Sequence, residues 1–569
     1  MLMKLKIFLI DSTSPFFIKT GNETINWSKI PFSLLEKNGR LRKKYQKRID
    51  KNFISYIQKV SKLGFNAISI DDLSHLIQYD FYTIGIKKKI AFYQSYLGRL
   101  FKICAKYNMD VYITTDIMFY NKFIWNKVKR NKQKISCLLN SGLEETFKRF
   151  PEIKGIIFRI GESDGVDIRS DFKSRLIIKK ATHANHYLKE LLPVFEKYDK
   201  YLIFRTWTTG AYKIGDLMWN KKTYDKVFAD IISPNLIISM KYGEADFFHY
   251  LGINELIFYK NHKKIIEFQT RREYEGFGEY PSFVGWYYQK IYKKVKDNSN
   301  IMGISVWCQT GGWSTFRNLT FLKKTSIWNE INTYVTIKLF KDNLSVKKSV
   351  AQLFPDKDIK KVLKFLKLSE KVILNLLYDP EFAKNRLYFN KVRIPPILHI
   401  FWDNISVTNA IIALYNSFSK NKNLSIINGF EALNYIKKMK ELNESLNFPY
   451  HYEFHYESFR IIALIRKLIY YKLDRAETLK LIKKIVFNYH VKYPLGYKFY
   501  INVRKVKNSY FLSRFIRFVI RRKKPYRIID RLLFNPFTSQ ILLLSYKILR
   551  KNFPEFIGNQ AMPFSTFLK

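Results

Sequence analysis

The chain has 569 residues, 47% apolar and 26% charged, with 100 Lys+Arg against 47 Asp+Glu and a formal net charge of +53. That length accommodates a barrel of about 250 to 330 residues and one or two smaller domains. Three widely spaced cysteines, Cys104, Cys137 and Cys308, make neither a disulfide framework nor a zinc cluster, and no run reaches the roughly 18 apolar residues of a membrane-spanning helix.

The N-terminus MLMKLKIFLIDSTSP has only a short apolar stretch before Asp11 and no small-residue cleavage site, so it reads as a first strand and not as a signal peptide. A soluble, cytoplasmic setting follows as the default. Eight apolar runs of strand character succeed one another: 6–11, 66–71, 110–116, 155–160, 201–207, 235–242, 265–270 and 303–309. Segments of helical patterning separate them, for example 53–64, 96–108 and 186–201. Eight strands alternating with helices predict an α/β fold, a (β/α)8 barrel spanning residues 1–325. After Trp313 the patterning becomes helical without strands, giving a helical domain over 326–460 and a basic helical extension over 461–569.

Within the extension, SRFIRFVIRRKKPYRIIDRLL (513–533) is basic on one side and aromatic or aliphatic on the other. Two readings stand: a helix that lies on an anionic membrane through residues 505–550, or an ordinary amphipathic helix on the domain core. The charge surplus also has two readings. Lys, Asn, Ile, Tyr and Phe rise together, as AT-rich coding produces; alternatively the protein meets an anionic partner. No nucleic-acid motif accompanies the charge, so nucleic acid is not predicted as a partner. His451 and His455 stand one helical turn apart, but no third ligand is placed with them, and no metal site is predicted.

Three acidic residues follow strand-like runs: Glu162 in GIIFRIGESDG after the fourth, Asp246 in NLIISMKYGEADF after the sixth and Glu273 in IIEFQTRREYEG after the seventh. A parallel barrel delivers such residues to one mouth, where carboxylates face each other and general acid–base chemistry becomes available. Arg159, Arg205 and Lys241 lie in or at the ends of the same apolar strands, where an unpaired charge is costly, which marks them as more than surface cations. Trp207, Tyr242, Tyr274 and Trp307 suit either sugar stacking or core packing.

These segments, in this order and spacing, resemble the α-glucuronidases of glycoside hydrolase family 67 over roughly residues 60 to 355. FRIGESDG resembles the family's general-acid motif, THANHYLKELLP (182–193) its Thr-His-Ala helix, FRTWTTG (204–210) its next strand, SMKYGEADFF (239–248) its lysine-glycine-aspartate strand end, and EFQTRREYEGFG (267–278) its base-carrying segment. The resemblance implies Glu162 as general acid and Asp246 with Glu273 sharing the base role. It also implies Arg205 and Lys241 as ligands of a uronate carboxylate, with Arg159 near a third such position, and a helical domain packed on the barrel. His183 falls in the Thr-His-Ala pattern and reads as a hydrogen-bonding group. The family's lysine near Arg159 is one step further from the acid, so strand parity predicts that Arg159 points away from the mouth unless the strand end is locally irregular.

Two departures stand out. Glu162 is followed by SDGVDIRSDF where the family has a Gly/Pro-rich run, and Arg272 replaces the glutamine before the base glutamate. Both predict a different aglycone. The implied activity is an inverting exo-α-glycosidase that releases a terminal uronic acid from an acidic oligo- or polysaccharide, without metal or organic cofactor, in a chain that pairs as a homodimer. The alternatives are a catalytically inactive carbohydrate-binding barrel and a surface-polysaccharide glycosidase for another acidic sugar.

Overall fold

The computed structural model describes residues 5–17, 30, 32, 35–36, 39–161, 171–208, 210–276, 278–309, 319–322, 326–398, 404–471, 473–493, 500–503 and 510–549. Its centre is a closed, all-parallel barrel of eight strands: β1 (Ile7–Asp11), β2 (Ala67–Asp71), β3 (Asp110–Asp116), β4 (Ile153–Arg159), β5 (Tyr201–Arg205), β6 (Leu236–Lys241), β7 (Lys264–Gln269) and β8 (Ile301–Trp307). Each strand overlaps one of the eight runs read from the sequence. The chain is therefore a (β/α)8 barrel followed by a helical region.

Both faces of these strands are buried, which is why they read as continuous apolar runs and not as alternating ones. Ile7, Leu9, Ala67, Tyr112, Ile157, Ile203, Ile237 and Ile265 meet inside the barrel. The alternate residues, such as Ile68, Ile113, Ile156, Phe158, Phe204, Ile238 and Ile266, pack outward against the surrounding helices. The barrel closes where β1 meets β8, with Ile7 opposite Gly303. A side chain at residue 303 would put its Cβ 1.9 Å from the Ile7 carbonyl oxygen, so the seam requires glycine.

A second apolar core lies C-terminal to the barrel. Phe248 and Leu251 from the loop after β6, and Tyr280 and Phe283 from the segment after β7, pack with Trp328, Phe365, Tyr378 and Ile462 of the helices. The loops at the barrel mouth are thus the contact surface of the helical region.

Two readings require correction. Short strands do occur after the barrel: Tyr388–Phe389 pairs antiparallel with Val392–Arg393, and Asn404–Val407 pairs with Tyr500–Val503. The run 513–533 is not one helix but two, Tyr510–Val519 and Ile528–Leu533. Pro525 cannot donate a helical hydrogen bond, and the intervening Arg521 instead exchanges two backbone hydrogen bonds with Tyr388, N–H to O distances of 3.0 and 2.8 Å.

Candidate active site at the barrel mouth

Strand residues alternate between the inside and outside of a barrel. Counting on from the interior residues above, Asp11, Asp71, Asp116, Arg159, Arg205, Lys241, Glu267 and Trp307 all turn inward near the C-terminal strand ends, one from each strand. This corrects the expected orientation of Arg159. It lies two residues beyond the interior Ile157, shares its parity, and places Nε 2.9 Å from Oδ1 of the buried Asp116.

Each cation of this ring is engaged by a carboxylate. Arg205 grips Glu267 with two hydrogen bonds, Nε to Oε1 at 2.9 Å and Nη2 to Oε2 at 2.8 Å. Ser239 Oγ donates to the same carboxylate at 2.7 Å and Trp307 Nε1 at 3.1 Å. Burial pushes the Glu267 carboxyl up, but the charge and hydrogen bonds of Arg205, with Lys241 and Ser239, outweigh it and hold the group below the usual range. Asp11 does structural work at the closure: its Oδ1 accepts the backbone N–H of Gln309 at 3.1 Å and its Oδ2 the hydroxyl of Thr13 at 2.8 Å. Here burial prevails over the hydrogen bonds, and the Asp11 carboxyl is raised.

Asp246 hangs from the loop after β6. Lys241 Nζ lies 2.6 Å from its Oδ1, which also accepts the Phe247 N–H at 2.9 Å, and the Tyr274 hydroxyl donates to Oδ2 at 2.6 Å. Lys241 itself sits 3.5 Å from the centroid of the Trp207 ring, a cation–π contact that fixes the ammonium between indole and carboxylate. Glu273 opens the turn after β7, where its N–H donates to Gln269 Oε1 at 3.0 Å. Burial first, and then the negative charge of Asp246, raise the Glu273 carboxyl above the ordinary glutamate value of 4.5. The two acids therefore sense each other across adjacent loops. Two carboxyl groups, one of them raised, thus adjoin one site, an arrangement suited to acid–base chemistry.

Arg272 explains how Glu273 reaches that place. Its backbone is left-handed, φ 56° and ψ 60°, which reverses the chain and sends the Arg272 side chain under the turn. There it is 1% exposed and donates to Glu275, with Nε 2.8 Å from Oε2. Glu275 also accepts the Ser282 hydroxyl at 2.6 Å and the Tyr378 hydroxyl at 2.6 Å. Burial would raise Glu275, yet the charges of Arg272 and His249 hold it well below the usual range. The same Tyr378 oxygen accepts the His249 N–H at 3.0 Å. Arg272 is therefore a buried clamp, which overturns its expected position beside the aglycone.

The remaining predicted residues are placed as follows. Tyr274 packs its ring on Phe248, 4.5 Å between centroids, while its hydroxyl serves Asp246. Trp307 is buried under the Arg205 guanidinium, 4.8 Å from ring centroid to charge centre. His183 begins the helix Ala181–Lys197, with Nδ1 3.2 Å from the Ile177 carbonyl oxygen, and burial lowers its pKa. His455 places Nε2 2.9 Å from the Glu279 carbonyl oxygen and, buried, falls to about 3. Glu162 lies outside the described residues.

Sequence reasoning passed over Glu267, Asp116 and Tyr378. Glu267 had a signal, since a carboxylate in the apolar run IIEFQT needs a buried cation, and the cations had already been singled out. Tyr378 had none, because it reaches the site from a helical segment more than a hundred residues away.

No protein-family model and no curated protein matches the chain. Among solved structures it is similar to a GH138 enzyme targeting pectin rhamnogalacturonan II, with a TM-score of 0.51 and 12% identity over 87% of this chain and 62% of that one. It therefore spans less than two thirds of that enzyme. Two further similar structures are CpGH84B, TM-score 0.39 and 12% identity over 90% and 77% of the two chains, and the pneumococcal virulence factor StrH, TM-score 0.35 and 12% identity over 66% and 92%. These proteins are glycoside hydrolases. At such identities the likeness to the first is one of fold, a (β/α)8 barrel.

Proposed function

We propose that the protein is a glycoside hydrolase of α-glucuronidase type, which releases a terminal uronic acid from an oligo- or polysaccharide with inversion. The observation that carries this reading is the placement of Asp246 and Glu273 in the loops after neighbouring strands, one acid held by Lys241 and Tyr274 and the other raised by burial and by the charge of the first. An inverting mechanism needs a base that activates water opposite a general acid, with carboxyls about 6.5–9.5 Å apart. Glu273, with Asp246 as its partner, takes a proton from that water. Glu162, on the resemblance of its motif, protonates the leaving oxygen.

Specificity for an acidic sugar is assigned to Lys241 and Arg205, on the resemblance of their segments. Lys241, held between the Trp207 ring and Asp246, supplies the cation nearest the two acids. Arg205 is kept rigid by Glu267. The SDGVDIRSDF segment after Glu162 is the part of the chain that sets the aglycone.

The test is incubation with a panel of α-linked glucuronosyl oligosaccharides, with the released anomer followed by proton NMR, for wild type and Glu162→Gln. Release of the β-anomer, lost in the variant, supports the assignment. Release of the α-anomer rejects inversion, and no release from any member rejects the uronate reading.

A further inference from the structure

The three C-terminal helices keep apolar side chains in solvent. On the helix Tyr510–Val519, Ile516 and Val519 face the core, while Phe511 (79% exposed), Phe515 (47%) and Phe518 (46%) form an outward stripe at spacings of four and three residues. Arg514 and Arg517 border this stripe, and both are exposed. Ile528 and Leu532 on the next helix, and Phe537, Ile541 and Leu544 on Pro536–Leu549, repeat the arrangement. Residues 510–549 carry nine Lys or Arg and a single acid, Asp530. An apolar stripe bordered by cations is the pattern of a helix that lies in the headgroup layer of an anionic bilayer.

A second observation points to the ligand. Between the first two of these helices lies a cavity of about 530 Å³ lined by five cations, Arg517, Arg521, Arg522, Lys523 and Arg527, together with Phe418 and Tyr526. Arg521 is 2% exposed and lines this cavity, yet neither of its Nη atoms has a hydrogen-bond partner. The nearest carboxylate oxygen, Asp530 Oδ2, is 3.9 Å from Nη1, and Asp530 is engaged by Arg527 at 2.7 Å. Its Nε donates to the Lys523 carbonyl oxygen at 3.1 Å and its plane packs against Trp219, Tyr388 and Tyr526, so the two Nη atoms are the edge left for a ligand, and a phosphate oxygen is a matching acceptor for them.

We propose that this face docks on a bilayer containing anionic phospholipid, with a headgroup phosphate entering the Arg521 cavity and Phe511, Phe515 and Phe518 entering the outer acyl layer. The proposal is independent of any glycosidase activity, because its test reads binding alone.

The full-length chain is sedimented with vesicles of phosphatidylcholine and with vesicles of phosphatidylcholine and phosphatidylglycerol, at low and high salt. Binding is expected only with phosphatidylglycerol present, and weaker at high salt. Loss of two cations in Arg517→Gln/Arg522→Gln should weaken it by about 25-fold, and Phe511→Ser/Phe515→Ser should weaken it at every salt concentration. These side chains are exposed, so unfolding temperatures should match wild type and separate loss of binding from loss of fold. Equal binding to both vesicles overturns the proposal, as does binding that neither double variant changes. Release of bound protein by inorganic phosphate, with Phe511→Ser/Phe515→Ser unaffected, would assign the cavity to a soluble phosphate and also overturn it. So would a dimer that Phe511→Ser/Phe515→Ser dissociates without any vesicle binding.

Discussion

Lys241 holds Asp246 at 2.6 Å, and its charge also reaches Glu273, whose carboxyl it pulls down against the upward push of burial and of Asp246. If Glu273 must be ionised to activate water, kcat/KM should rise with pH along a limb set by its raised pKa, above the ordinary glutamate value of 4.5. Replacing Lys241 with Gln removes a downward influence, so the limb should move to higher pH while overall activity falls. A pH profile of kcat/KM for both forms checks this, and an unmoved limb would detach Glu273 from the base role.

The same raised pKa makes a stability prediction of definite sign. A carboxyl whose folded pKa lies above its unfolded value favours the folded state at pH below the unfolded value, and that contribution is lost as pH rises through the folded one. Glu273→Gln should therefore unfold at a higher temperature than wild type at neutral pH, with the difference shrinking below pH ~4. It should also lose about 10²- to 10⁴-fold in hydrolysis rate. Calorimetry at two pH values together with rate measurement separates this from simple structural damage, which lowers both quantities.

For the buried pair of Arg205 and Glu267, removal of one partner leaves the other charge uncompensated. Glu267→Gln is expected to cost about 3–5 kcal/mol, whereas a joint replacement, Arg205→Met with Glu267→Met, should cost markedly less than the two single changes added together. Denaturant unfolding of the three variants measures the coupling. An additive double variant would show that the two groups act independently.

Tyr378→Phe removes a hydroxyl that serves Glu275 and the backbone of His249. Leaving these buried groups short of a partner should cost about 1–3 kcal/mol. Because the loops of Asp246 and Glu273 are both attached there, kcat should fall more than KM rises. A change confined to KM would mean that Tyr378 acts on sugar binding and not on loop position.

What the sequence discloses follows from the range of each interaction. The eight strands are legible because a strand buried on both faces is a local run of apolar residues, and the seam glycine aside, nothing distant decides it. Asp246 and Glu273 are legible as acids after such runs. The orientation of Arg159 is not, because it depends on the parity of Ile157 inside the closed barrel. Arg272 looks like a mouth residue in the string RREYEG, and only its left-handed backbone turns it under the loop. The break of the 513–533 run is half legible: Pro525 announces it, but the pairing of Arg521 with Tyr388 does not appear in local sequence.

The anchoring of both acid-bearing loops by one phenol, just past the end of a distant helix, changes what counts as the smallest working unit. A gene trimmed to the eight strands and their helices would retain the barrel's closure yet release Glu275 and His249 from their common tether. Grafting a foreign helical region would move the two loops, retuning the distance between the acids without replacing either of them. Divergence in this part of the chain is thus a route by which catalysis can drift or be redesigned while the pocket itself stays constant.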